Sequence, residues 1–230
     1  MKYAVVTGSS SGIGYSIAKR LVSNGYFVFM NGRHSFISSF QEESYIYIQS
    51  DLSSLDGVIC LTDKILSKTK MIDVLVLCAG ATCRNKMTDI SLDDWQYVMN
   101  VNVNMPFFTV QKLSPFLSKE GSVLFISSLM GIKPHATSLV YGVSKSAEIS
   151  LAQNLVKELP GIRVNCVCPG FVDTQWQRDK PDWKKEKIKS KIALNRFAES
   201  SEIADICINV IENTYINGSV ICIDGGYDMT

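Results

Sequence analysis

Tyr141 and Lys145 stand four residues apart in Tyr-Gly-Val-Ser-Lys, at the head of a stretch that reads as helical. That spacing puts both side chains on one helix face. A phenol with its ordinary pKa of about 10 is a poor acid–base group at neutral pH. An ammonium beside it favours the phenolate and pulls that pKa down. Tyr141 could then give a proton to a forming alkoxide or take one from an alcohol. The same pair arises by chance in many helices, so its weight depends on its company.

The first company is a glycine loop, Thr7-Gly8-Ser9-Ser10-Ser11-Gly12-Ile13-Gly14, between the first apolar run and the first helical stretch. A strand, a glycine-rich turn and a helix in that order bring backbone N–H groups and a helix N-terminus to a pyrophosphate. Gly8, Ser10, Ser11, Gly12, Ile13 and Gly14 are therefore cofactor-binding candidates. The spacing is G-x-x-x-G-x-G rather than the usual G-x-G-x-x-G, and a glycine–serine turn that merely joins strand to helix is the alternative.

The end of the second strand bears on which nicotinamide cofactor fits. An NAD site offers a carboxylate to the ribose 2′-hydroxyl about 20 residues on. Here the chain reads Asn31-Gly-Arg33-His-Ser35, with no acid. Arg33 is suited to a 2′-phosphate through its charge and fork of donors, so NADP(H) is favoured over NAD(H). A surface arginine, with NAD held by backbone, is the other reading. Asp51, just after the third strand, is a candidate acceptor for the adenine amino group, with Leu52 beside it on the same surface.

These residues need a scaffold that alternates strand and helix. Continuous apolar runs at Tyr3–Thr7, Phe27–Asn31, Tyr45–Gln49, Val74–Cys78, Ser122–Ser127, Arg163–Cys168 and Ser219–Ile223 read as strands covered on both faces. Helical stretches are clearest at Ile13–Ser23, Leu92–Leu117, Tyr141–Leu159 and Ser201–Glu212. Repeated βα units predict an α/β fold: a Rossmann-type, doubly wound parallel sheet of about seven strands with helices on both faces. The length of 230 residues suits one domain. The polar stretch Thr174 to Arg196 reads as a short helix in a substrate lid, or else as a solvated connector.

The net charge of +1 leaves no electrostatic footprint for nucleic acid. No apolar run is long enough to span a bilayer, and the N-terminus lacks the pattern of a signal peptide. Seven cysteines, an odd number and mostly in apolar runs, read as reduced thiols. A cytoplasmic protein is expected. Cys166-x-Cys168 has the look of a metal clip, but it sits in a strand-like run and no second Cys/His pair has ligand spacing, so no metal site is expected.

The glycine loop, Leu77-Cys-Ala79-Gly80, Asn102, Ser127-Ser128, Tyr141/Lys145 and Pro169-Gly170-Phe-Val172-Asp-Thr174 occur in that order. With them, and with Asn195 to Ala204 and Asn217 to Gly226 near the C-terminus, the chain resembles the short-chain dehydrogenase/reductase family over nearly its whole length. Its overall look is that of the bacterial 3-oxoacyl-carrier-protein reductases. The resemblance implies that Tyr141 is the general acid/base and that Lys145 holds the nicotinamide ribose and lowers the tyrosine pKa. It implies that Ser128 polarises the substrate carbonyl and that Asn102 anchors a relay water. It also implies carboxamide contacts from the loop Pro169, Gly170, Val172 and Thr174, and backbone contacts from Ala79 and Gly80. Pro106, four residues after Asn102, has no N–H, so the Asn102 carbonyl loses its helical partner and is free to hold that water.

Two departures stand out. Leu77-Cys78 replaces the two asparagines common in the family, and the stretches from Arg33 to Asp51 and from Asp51 to Asp73 look short. The substrate wall is expected from Met130, His135, Gln175 and Trp176, beside Ser128 and Tyr141. A carbonyl or 3-oxoacyl-thioester reductase is the leading reading, with a small-molecule or carrier-linked substrate. Lys180, Lys184, Lys185, Lys187, Lys189 and Lys191 would receive an acidic carrier, or else form a solvated helix face. A sugar or polyol dehydrogenase of carbohydrate biosynthesis is the alternative, and a non-catalytic NADP-binding regulator is a third reading from another class. The resemblance implies a homo-oligomer, dimer or tetramer.

Overall fold

A computed structural model describes residues 1–35, 44–134, 138–178, 180–227 and 229 of the chain. Seven strands form one sheet: β1 (Lys2–Val6), β2 (Tyr26–Gly32), β3 (Tyr45–Gln49), β4 (Ile72–Leu77), β5 (Leu117–Ile126), β6 (Arg163–Pro169) and β7 (Val220–Ile223). Their order is β3-β2-β1-β4-β5-β6-β7, and every pairing is parallel. All seven strands expected from the apolar runs are present. The inner strands do not alternate apolar with polar residues, because helices cover both faces. Val5, Phe29, Leu75, Phe125 and Val164 are fully buried on one side, and Val6, Met30, Val76 and Leu124 on the other.

The helices are α1 (Gly12–Ser23), α2 (Leu55–Leu66), α3 (Leu92–Met99), α4 (Met105–Leu113), α5 (Leu139–Glu158), α6 (Gln175–Arg178), α7 (Asp182–Lys189) and α8 (Ser200–Glu212). One face of the sheet packs on α1 and α8, whose apolar stripes meet through Ile17, Leu21, Ile203 and Cys207. The other carries α2, α4 and α5 through Leu61, Val110 and Leu155. Arg163 fixes the end of α8, its guanidinium donating to the Val210, Ile211 and Asn213 carbonyls at 3.1, 2.6 and 2.8 Å. These are the orphan carbonyls of a helix terminus.

The single long helix expected over Leu92–Leu117 is interrupted. Asn100–Asn104 is a π turn between α3 and α4, Ser114–Phe116 is a 3₁₀ turn, and Leu117 already begins β5. Pro106 lies at the start of α4, where its missing N–H is tolerated. The stretch read as one polar lid helix is two, α6 and α7, with Pro181 between them. Among the described residues no helix is long and apolar enough to cross a membrane.

Candidate functional site

The strand order reverses between β1 and β4, and a cleft of about 370 Å³ opens beyond their carboxyl ends. Such a switch point is where open α/β sheets bind ligands. The glycine loop forms its floor. Gly8 and Gly12 have φ of +61° and +57°, which side-chain-bearing residues rarely adopt. A Cβ on Gly8 would lie 2.6 Å from the Ala79 Cα, and one on Gly14 would lie 2.4 Å from the Gly8 carbonyl oxygen. The loop therefore sits directly on the end of β4 and on the first turn of α1.

Polar side chains weld it there. Thr7 Oγ1 accepts from the Cys78 and Ala79 N–H groups at 3.0 and 3.2 Å. Ser9 Oγ donates to the Val6 carbonyl at 2.8 Å and accepts from the Asn31 N–H at 2.9 Å. The Asn31 amide reaches the Ile48 and Ser50 carbonyls and Ser50 Oγ, across β3. Helix α1 begins without a side-chain cap and without an acid in its first turn. By contrast Ser54 caps α2 and Ser91 builds a capping box on α3. The open N–H groups of α1 face the cleft, as a pyrophosphate requires.

Gly8, Ser10, Ser11, Gly12, Ile13 and Gly14 all line the cleft, and so do Arg33, Asp51 and Leu52 at its far end. Arg33 donates to the Tyr97 hydroxyl at 2.9 Å, which holds the guanidinium over the mouth. Tyr97 escaped the sequence reading because it belongs to α3, more than sixty residues away in the chain. A Cβ on Gly32 would meet the Tyr47 hydroxyl and Ser10 Oγ, so a side chain at the end of β2 would have to displace these two side-chain ends. Tyr47 itself donates to the His34 carbonyl at 2.6 Å.

At the near end, Ser128, Tyr141 and Lys145 converge on the same cleft. Ser128 follows β5, and its hydroxyl accepts from the Met130 N–H at 3.1 Å and hydrogen-bonds the Tyr141 phenol. Tyr141 lies in the first turn of α5 and Lys145 one turn on. The Lys145 ammonium lies 5.9 Å from the Tyr141 ring centroid. It donates to the Ile126 carbonyl at 2.9 Å and to Glu148 Oε2 at 2.7 Å.

The electrostatics differ from the simple expectation. Burial raises the Tyr141 pKa, and this outweighs the lowering by Lys145 and by the Ser128 hydrogen bond. Glu148 and Cys78 add to the rise. Burial works to lower the Lys145 pKa, but Glu148 and Tyr141 together hold it above its ordinary range. Burial pushes Glu148 up to about 7 against the pull of Lys145, and Cys78 up to about 12. The lowered phenol expected from the Tyr–Lys pair is thus not seen, because burial outweighs the pull of Lys145, with Glu148 adding to the rise.

Asn102 sits behind the cleft rather than in its wall. Fully buried in the π turn, its Oδ1 accepts from the Ala81 N–H at 2.8 Å, and its Nδ2 donates to the Ala81 carbonyl at 2.9 Å and to Ser144 Oγ at 2.8 Å. The side chain clamps the chain after β4 to α5, one residue before Lys145.

The segment after β6 closes the near end. Ala79 and Gly80 line the cleft, with Pro169, Gly170, Val172 and Thr174 opposite. Val172 bridges to Ala198, and the Thr174 methyl lies 3.3 Å from the place of a Cβ on Gly12. Gln175 and Trp176, at the start of α6, line the cleft as expected. Met130, in the 3₁₀ turn after Ser128, is not among the residues that line this cleft. His135 lies outside the described residues. Arg84, unremarked in the sequence, donates to the Trp176 carbonyl at 3.1 Å and ties α6 to the loop after β4. Of the six lid lysines, Lys185 and Lys189 pair with Asp182 and Glu186 on their own helix.

Cys166 and Cys168 point to one face of β6 with their sulfurs 3.9 Å apart, and all seven cysteines are free thiols. Among the described residues no group of three His, Cys, Asp or Glu side chains is placed to hold a metal ion.

A family model described as short chain dehydrogenase matches residues 2–185. The chain is 32% identical to an oxidoreductase of Bacillus subtilis, with 98% of each chain covered. It is 31% identical to a 3-oxoacyl-[acyl-carrier-protein] reductase of Thermotoga maritima, over 98% of this chain and 97% of that one. Among solved structures it is similar to L-sorbose reductase from Gluconobacter frateurii complexed with NADPH and L-sorbose. There the TM-score is 0.91 at 25% identity, covering 100% of this chain and 97% of that one. The strand order, the glycine-floored cleft and these likenesses agree: the chain belongs to the short-chain dehydrogenase family and is an oxidoreductase acting on CH–OH and C=O groups.

Proposed function

We propose that the protein is an NADP(H)-dependent carbonyl reductase with 3-oxoacyl thioesters as its substrate class. The observation that carries the reading is the convergence of Ser128, Tyr141 and Lys145 at one end of a cleft whose other end holds Arg33. The residues fit a dinucleotide: an uncapped α1, two left-handed glycines, and a loop packed on Ala79 and on itself too closely for a Cβ at Gly8 or Gly14. When bound, the nicotinamide supplies or accepts the hydride. Gly8 to Gly14 and the α1 N-terminus hold the pyrophosphate. Pro169, Gly170, Val172 and Thr174 orient the carboxamide, with Ala79 and Gly80 on the opposite wall. Ser128 donates to the substrate oxygen, and Tyr141 gives that oxygen its proton while Lys145 steadies the phenolate left behind. Asn102 supports these groups from behind.

Preference for NADP(H) is supported by Arg33, which lines the far end of the cleft with its guanidinium bonded to the Tyr97 hydroxyl. The 31% identity to 3-oxoacyl-carrier-protein reductases supports the thioester class. Residues 174–196 act as a substrate lid within a single domain. The half-exposed Trp95, Phe107 and Val143 on α3, α4 and α5 offer faces for a homo-oligomer, and the seven free thiols suit the reducing cytoplasm. A sugar or polyol substrate is the second reading, supported by Gln175 on the cleft wall and by the likeness to L-sorbose reductase.

NADPH and NADH oxidation against 3-oxoacyl thioesters, keto-sugars and simple ketones tests both readings. Thioester turnover that prefers NADPH and is lost in Tyr141→Phe bears out the first. A best substrate among the keto-sugars moves the assignment to the second.

A further inference from the structure

Glu148 stands one turn beyond Lys145 on α5, and both are buried, at 0% and 2% exposure. Its Oε2 takes the Lys145 ammonium at 2.7 Å, while its Oε1 has no hydrogen-bond partner. Tyr141 faces the pair from α5, Cys78 from the end of β4, and Cys166 and Cys168 from β6. The Ser127 hydroxyl also lies beside it, but its proton is committed to the Lys145 carbonyl at 2.9 Å. A buried ion pair is weak as a source of stability, and apolar replacements of similar volume do as well or better. A buried carboxylate oxygen without a partner asks for an explanation other than packing.

We propose that Glu148 is a positioning residue for the oxidoreductase reaction, holding the Lys145 ammonium inward and offsetting the positive charge that reaches the Tyr141 phenol. The inference rests on Tyr141 and Lys145 having the roles given above. The ammonium is shared between Ile126, Glu148 and the face of Tyr141. At the phenol the Glu148 carboxylate offsets part of the ammonium's field, which adds to burial in keeping Tyr141 protonated as a proton donor.

The experiment compares wild type, Glu148→Gln, Glu148→Asp and Tyr141→Phe. The first readout is the ultraviolet difference titration of the Tyr141 phenolate in the cofactor-free proteins, with Tyr141→Phe as the blank. The second is the pH profile of kcat/KM for carbonyl reduction. Glu148→Gln lowers the Tyr141 titration by about one pH unit and moves the falling limb of the reduction profile to lower pH with it. Glu148→Asp, which withdraws the carboxylate by one methylene, shifts both the same way by less, and it serves alone where Glu148→Gln does not fold. An inactive Tyr141→Phe together with an unmoved titration and limb overturns the inference alone. A Tyr141→Phe enzyme with wild-type turnover overturns the roles of Tyr141 and Lys145, and the inference with them.

Discussion

The indole of Trp176 meets the phenol ring of Tyr141 edge to face, with centroids 5.8 Å apart and planes at 64°. The first helical residues after β6 are thereby laid over the Tyr141 phenol, and Arg84 holds them there through the Trp176 carbonyl. Trp176→Ala should lower kcat/KM for the best small substrate roughly ten- to a hundredfold, the range for losing an apolar wall. Bulkier ketones should gain. Steady-state kinetics on a series of graded ketones reads the effect; an unchanged ranking would remove Trp176 from the substrate wall.

Because burial raises the Tyr141 pKa, the phenol stays protonated through neutral pH. Carbonyl reduction needs that proton, so its rate should hold across neutral pH and fall only as alkaline pH removes it. Alcohol oxidation needs the phenolate and should rise over the same alkaline range. Initial rates in both directions, measured from about pH 6 to about pH 10 in a stepwise series (about one unit per step, set by the width of a titration), distinguish this from a phenol already ionised at neutrality.

Gly8→Ala places a Cβ 2.6 Å from the Ala79 Cα at a φ of +61°. Backbone gives way poorly, and a strained residue of this kind costs about 1–3 kcal/mol. The loop must shift, and NADPH affinity should fall roughly tenfold or more, since each step of about 1.4 kcal/mol is a factor of ten. Fluorescence titration with NADPH and a urea melt together separate lost binding from lost fold.

Asn102→Ala removes three buried hydrogen bonds between the chain after β4 and α5. At about 1 kcal/mol each, the expected loss of stability is about 3 kcal/mol, seen as a lower urea midpoint. Turnover should fall as well, because Ser144 and Lys145 lose their anchor. A variant with wild-type stability would show that the clamp carries little of the packing.

Arg33→Ala should raise the KM for NADPH roughly ten- to a hundredfold, the worth of a charge-assisted contact of about 1.5–3 kcal/mol, and leave the KM for NADH nearly unchanged. Equal losses with both cofactors would assign Arg33 to something other than the 2′-phosphate.

The inner strands were legible because their cores are short, mostly apolar runs buried on both faces, as Val74 to Leu77 and Val164 to Val167 are, while β3 and β7 at the edges are only partly buried. The glycine loop and the Tyr141–Lys145 spacing were legible because local backbone geometry dictates them. Contacts between distant segments were not. Glu148, three residues after a lysine on a helix, reads as one half of a solvated surface pair; only its inward face makes it a buried partner. Tyr97 reaches Arg33, and Arg84 reaches Trp176, across the sheet's carboxyl edge, with no local signal for either. Asn102 was singled out, but the expected use of its carbonyl concealed a side chain that holds Ala81 and Ser144. Pro106 hinted at the break in the long helix without indicating a π turn.

That turn has a consequence for how the chain can change. Asn100–Asn104 closes i to i+5 rather than i to i+4, so it contains one residue more than the α-helix would need there. Removing a single residue from it would restore a regular helix and leave α3 and α4 facing as they do now, because the turn uses that extra residue without extra rotation. Val98, now buried, and Phe107, now at the surface, would keep their places. The extra residue is a slack point: a one-residue deletion is absorbed there, while the same deletion within α3 or α4 would turn everything beyond it by about 100° and require the surrounding packing to change with it.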